Sequence, residues 1–118
     1  MRTLFIYSIL FTALSTHAQE SIEGIWNTGK ENTKIEIAEV EDGIYEGKIL
    51  SSDNENAKVE KALLREVNLI DGEWKGKLFA PKKKKWMDAV LMKKENRLHI
   101  KVKAGFMSKT IKWTKEEP

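Results

Sequence analysis

Trp26, Trp74, Trp86 and Trp113, together with Tyr45, could build an aromatic platform for a small apolar or amphipathic ligand. The same rings could equally serve as core packing. Asp88 is the polar exception in Trp86 to Met92 (WMDAVLM). By alternation it shares a face with Trp86, Val90 and Met92, while Met87, Ala89 and Leu91 take the other. If the Trp86 face points inward, Asp88 is an internal carboxylate with Lys109 as its partner, and the pair could orient a polar head-group. If that face points outward or lies at a mouth, Asp88 is solvated. The run Lys82-Lys83-Lys84-Lys85 is the remaining chemical feature, a compact cationic patch suited to an anionic partner.

Several chemistries are excluded by composition. The chain has no cysteine, which removes disulfides, thiolate metal sites and a cysteine nucleophile. His99 alternates onto a face with Arg97, Lys101 and Lys103, the pattern of a solvent face, and no nucleophile-elbow spacing accompanies it. Asp53-x-Glu55 is one short acidic loop, without the six or so oxygens that calcium takes. No catalytic residue, metal ligand or cofactor is therefore assigned, and the expected activity is non-enzymatic binding.

The elements that must position these residues are short and lack helical periodicity. Strands are predicted over Ser21 to Thr28, Thr33 to Val40, Ile44 to Leu50, Leu63 to Ile70, Glu73 to Phe79, Trp86 to Met92, Arg97 to Lys103 and Phe106 to Thr114. Leu63 to Ile70 would also suit a short helix, and the polar stretch Ser51 to Lys61 reads as a loop with room for one helical turn. Asp42-Gly43 and Asp71-Gly72 are hairpin turns, and Lys82 to Lys85 form the tip of another connection. About eight strands with short connections imply an all-β fold, a small antiparallel up-and-down β-barrel. A seven-stranded sandwich is the alternative.

The N-terminus reads as a leader. Arg2 is followed by the apolar run Leu4 to Leu14, and Thr16-His17-Ala18 presents small residues where a signal peptidase reads. The run is well short of the roughly 20 residues that span a bilayer. Residues 1–18 are thus expected to be a cleaved signal peptide and 19–118 a single barrel domain, exported to a periplasm or the medium and not integral to the membrane.

Gly24-x-Trp26 looks like the G-x-W signature of lipocalins and related calycin barrels. That motif, Asp42-Gly43-x-Tyr45-x-Gly47-Lys48-Ile49, Gly72-x-Trp74-x-Gly76-Lys77, Pro81 with Trp86, and Trp113-Thr114-Lys115 together resemble the bacterial family called domain of unknown function 2147. The resemblance implies an exported, lipocalin-like barrel with no established activity. It also implies that Trp26 plugs one end of the barrel beneath a basic residue of the last strand, Lys109 or Lys115. The sequence departs from the family pattern at Ala80, Lys84, Lys109 and Lys115.

Charge is unevenly distributed. The chain carries +3 overall, yet residues 19–73 hold 6 basic and 14 acidic side chains, while residues 74–115 hold 14 basic and 2 acidic. A closed barrel would bring the two halves together at its seam. Two functions follow as expectations. One is a small apolar or amphipathic ligand held by Trp26, Tyr45, Trp74, Trp86, Asp88, Lys109 and Trp113. The other is a filled barrel whose lysine-rich surface binds an anionic envelope component or a protein partner. Nucleic acid fits poorly with export and with so few arginines.

Overall fold

Period-two alternation becomes eight strands in a computed structural model that describes residues 21–116; the leader read over residues 1–18 lies outside them. The strands are β1 (Gly24–Asn27), β2 (Lys34–Glu41), β3 (Ile44–Ser51), β4 (Ala62–Ile70), β5 (Glu73–Ala80), β6 (Lys85–Lys94), β7 (Arg97–Ala104) and β8 (Met107–Lys115). Each pairs antiparallel with the next, and β8 returns to β1, so the sheet closes into an up-and-down barrel. Closure satisfies the outer strands that a sandwich would leave as edges. The closing seam is short, with only Trp26↔Lys115 and Asn27↔Thr114 in register. It is reinforced by Glu116 N–H donating to the Ile25 carbonyl (2.9 Å) and by a Lys34–Glu116 ion pair (2.7 Å).

The fourth strand and the polar connection before it form as expected, and neither takes the helical alternative. Leu63 to Ile70 is strand, and Ser52 to Lys61 is a series of turns, with Ala57 N–H bonded to the Asn54 carbonyl and Lys61 N–H to that of Lys58. The last strand begins at Met107, because the chain turns at Gly105–Phe106.

Inward positions repeat along every strand, so Trp26, Ile35, Ile37, Ile49, Leu64, Val67, Trp74, Leu78, Ala89, Leu91, Leu98, Ile100, Val102 and Trp113 form one buried cluster. Alternation breaks in β4, where Leu64 and Val67 are both buried three residues apart. The cause is a bulge. Arg65 pairs with Lys77 and Asn68 with Lys75, leaving Glu66 and Val67 opposite the single residue Gly76, with Glu66 at φ 55. A Cβ on Gly76 would sit 2.6 Å from Val67 Cγ2 and 2.9 Å from the Arg65 carbonyl oxygen. The mid-strand glycine is the space that the bulge occupies. Gly47 is the milder counterpart on β3, where a Cβ would lie 3.1 Å from Ile35 and 3.2 Å from Leu64. The barrel is filled at its waist.

Up-and-down order sorts the connections by end. Asp42–Gly43, Asp71–Gly72 and Glu95–Asn96 turn the chain at one end, each with a carboxylate. Asp71 and Gly72 both have positive φ (51° and 82°), the backbone of a two-residue turn matched to strand twist. The opposite end carries residues 28–33 and 52–61, of both signs, then Pro81–Lys84 and Gly105–Phe106. Because β6 pairs with β7, the last two connections follow one another around the same end, although the pairing itself stops at Ala89↔Val102.

Candidate functional site

The seven residues considered for a ligand platform do not converge. Trp26 is fully buried, its indole Nε1 donating to the Ile22 carbonyl at 3.0 Å. Lys115 Nζ lies 5.0 Å from that ring's centroid and donates to the Glu23 carbonyl at 2.9 Å. The basic residue over the G-x-W tryptophan is thus Lys115, and its ammonium fills the position where a side chain on Gly24 would begin. Trp74 is buried edge-on to Tyr45, centroids 5.3 Å apart at 87°. Burial first, then the carboxylates of Glu39, Glu23 and Asp42, hold the Tyr45 phenol pKa above its ordinary value. Trp113 is buried opposite Leu98. These four rings belong to the packed interior.

Trp86 and Asp88 point outward, because Ala89 and Leu91 take the core-facing positions of β6. Asp88 is not inside the barrel and does not meet Lys109. It is exposed and pairs with Lys77, its register neighbour on β5, at 3.2 Å. Lys109 is exposed opposite Val102 on β8, beyond the reach of the β1 seam, so it covers no tryptophan of the interior.

What the outer wall does assemble is a cationic and aromatic strip across β4, β5 and β6. Trp86 packs against Phe79 (5.3 Å, 61°), Arg65 lies 4.1 Å over the Trp86 ring, and Lys61 lies 4.8 Å over Phe79. Such contacts contribute about 0.5–1 kcal/mol each at exposed sites. Arg65 reaches Trp86 from the bulge in β4, beside the Glu66 carboxylate at 3.2 Å. Beyond the strip lies the Pro81–Lys84 tip, tied by Lys83 N–H to the Ala80 carbonyl and Lys84 N–H to that of Pro81, with Lys85 opening β6. All four lysines of the run are exposed.

The neighbouring tip adds what sequence reasoning missed. Phe106 is 100% exposed and Met107 63%, flanked by Lys101, Lys103 and Lys109 on the paired strands, with Lys112 further along β8. Placing Phe106 at the start of a strand hid this, although Gly105 was the available turn signal. Among the described residues, none of these four lysines, nor Lys82 to Lys85, forms a salt bridge. Ion pairing is mostly local instead: Lys48–Glu46, Arg65–Glu66 and Lys75–Glu73 join residues of one strand. Among the described residues Lys34–Glu116 is the ion pair of the seam region, and the lysines of the two tips stay outside any such pair.

Two grooves also lie on the outer wall. The larger, ≈ 370 Å³, runs along β2 and β3 and is lined by Glu36, Ala38, Val40, Glu46, Lys48, Leu50, Val59 and Glu60 among others. The smaller, ≈ 240 Å³, follows β4 and β5 beside Asn68 and Lys75. Among the described residues no three of His, Cys, Asp and Glu gather as a metal site. Among the described residues no helix is long and apolar enough to cross a membrane. No family model, curated protein or solved structure matches the chain.

Proposed function

We propose that this protein is an exported, non-enzymatic binding module that acts through the outside of a filled barrel. The surface it uses is the lysine-rich end of β5 to β8, and its target is an anionic component of the cell envelope. The observation that carries this reading is the pair of adjacent hairpin tips, Lys82 to Lys85 and the Lys101–Lys112 region, whose ammonium groups lack carboxylate partners among the described residues. Unpaired lysines held on a rigid scaffold create a positive field without a penalty for breaking existing ion pairs. Close packing around Gly47 and Gly76 supports the outer surface as the working face, since an internal ligand would have to displace side chains already in contact. The G-x-W geometry around Trp26 and the apolar leader support a calycin-like barrel sent across a membrane.

Charge-driven adhesion has a distinctive dependence on salt. Screening shortens the field to about 10 Å at 0.1 M and about 3 Å at 1 M. The processed protein, beginning at Gln19, should bind a heparin column at low salt and elute well before 1 M. A Lys82–Lys85 quadruple glutamine variant should elute markedly earlier and lose at least about tenfold in affinity, given about 1 kcal/mol per lysine beside an anionic surface. Binding that ignores salt, or that survives neutralisation of all four lysines, would contradict the proposal.

A further inference from the structure

The ends of β7 and β8 form an arm free of the barrel wall on both sides. β6 follows β7 only as far as Ala89↔Val102, and β1 meets β8 only at Thr114 and Lys115. From Gly105 to Thr110 every residue is exposed, on both faces of the hairpin. Its tip is a two-residue turn with Gly105 at φ 67, which thrusts Phe106 into solvent beside Met107. Loop tips ordinarily carry small polar residues, so a fully exposed phenylalanine there marks a contact site.

We infer that this arm docks on an anionic lipid bilayer, with Phe106 and Met107 entering the interface and Lys101, Lys103 and Lys109 meeting the lipid phosphates. The inference rests on the charge reading above and names its target. Apolar groups stand at the extreme tip, and cations stand behind them, opposite Thr110, Ser108 and Val102 in the strand register. That order matches the layering of a bilayer, with phosphates outside and hydrocarbon beneath. A soluble polyanion offers the lysines a partner but gives Phe106 nothing apolar to enter. Flexible lysine stems keep their ammonium groups at phosphate depth while the tip sinks past them. Stable attachment to a surface takes two signals, and the arm combines a small apolar anchor with a basic patch.

The test compares the processed protein with a Phe106→Ser, Met107→Ser variant. Both side chains are exposed, so the variant should keep the parent's far-UV spectrum and melting temperature. Each protein is sedimented with vesicles of phosphatidylcholine alone or of equal phosphatidylglycerol and phosphatidylcholine, and run on heparin. The parent should bind only the anionic vesicles. The variant should lose about tenfold or more of that binding, from burial of one aromatic and one thioether side chain, while its heparin elution stays unchanged. Equal vesicle binding by both proteins would overturn the insertion and leave the charge reading standing. Heparin binding without any vesicle binding would do the same. Absence of both would sink both proposals. If the parent self-associates on sedimentation, ignores vesicles, and the variant is monomeric, the arm is a contact between copies and the lipid inference is wrong.

Discussion

Replacing Trp26 with alanine should destabilise the barrel by about 3–5 kcal/mol, the range for truncating a large buried aromatic. Domains of this size hold only about 5–15 kcal/mol in total, so the variant should be largely unfolded or melt far below the parent. The magnitude follows from three roles held by one side chain. Its ring is fully buried against the core. Its Nε1 satisfies the Ile22 carbonyl, which holds the segment preceding β1. Its face receives Lys115, whose backbone pairs with Trp26 in a seam of only two register positions. Trp26→Phe should be milder, because it keeps a ring under Lys115 and loses chiefly the indole hydrogen bond. Urea denaturation of the two variants checks this, and a loss below about 1 kcal/mol for Trp26→Ala would refute the plug.

Gly76→Ala should cost about 1–3 kcal/mol, and more than Gly47→Ala, although both insert one methyl into the barrel wall. At Gly47 the obstructing atoms are side chains of Ile35 and Leu64 at 3.1–3.2 Å, which can give by a few tenths of an ångström. At Gly76 they include the Arg65 carbonyl oxygen and Val67 Cα, both at 2.9 Å. Backbone cannot rotate aside, so the β4 bulge itself must shift and carry Arg65 off Trp86. A Val67→Ala change should relieve only the 2.6 Å side-chain contact and rescue the variant partially. Thermal melts of the three proteins decide the order. If Gly76→Ala is neutral, the bulge does not need the glycine.

The same bulge explains what was legible in the sequence and what was not. Six of the seven connections and the all-β class follow from alternation and from Asp-Gly or polar turns, because most strands expose one face. Leu63 to Ile70 reads as strand by the same logic but also suits a short helix. Its buried residues, Leu64 and Val67, are spaced by three, the signature of a helix face or of a strand with one residue looped out. Only the partner strand, with Gly76 opposite Glu66 and Val67, distinguishes them, and pairing is not written in local spacing. The inward or outward sense of β6 was likewise open, since both of its faces are mostly apolar. The wall resolved it by giving Trp86 to Phe79 and Arg65, and Ala89 to the core.

Charge shows the opposite lesson. The acidic first half and basic second half were visible in the sequence, and a closed barrel suggested their neutralisation at the seam. The seam proved too short for that, with two register pairs and an ion pair whose lysine comes from the acidic half and whose glutamate from the C-terminal end. Lysines crowd the tips of β5–β6 and β7–β8, while the carboxylates of β2 to β4 and their connections lie on the other side of the wall. Up-and-down order keeps the division along the chain as one around the wall, β2 to β4 mostly acidic and β5 to β8 mostly basic. An approaching anionic surface would orient such a molecule before touching it.

The outside of this barrel, at its lysine-rich end, is the proposed working face. Amide and indole NMR shifts of the processed protein, recorded with and without phosphatidylglycerol-containing bicelles, test it most directly. Changes should concentrate at Lys82 to Lys85 and from Lys101 to Lys109, with the indole signals of Trp26, Trp74 and Trp113 unmoved. Shifts centred on those three indoles, with the two tips unchanged, would place the ligand inside the barrel and contradict it.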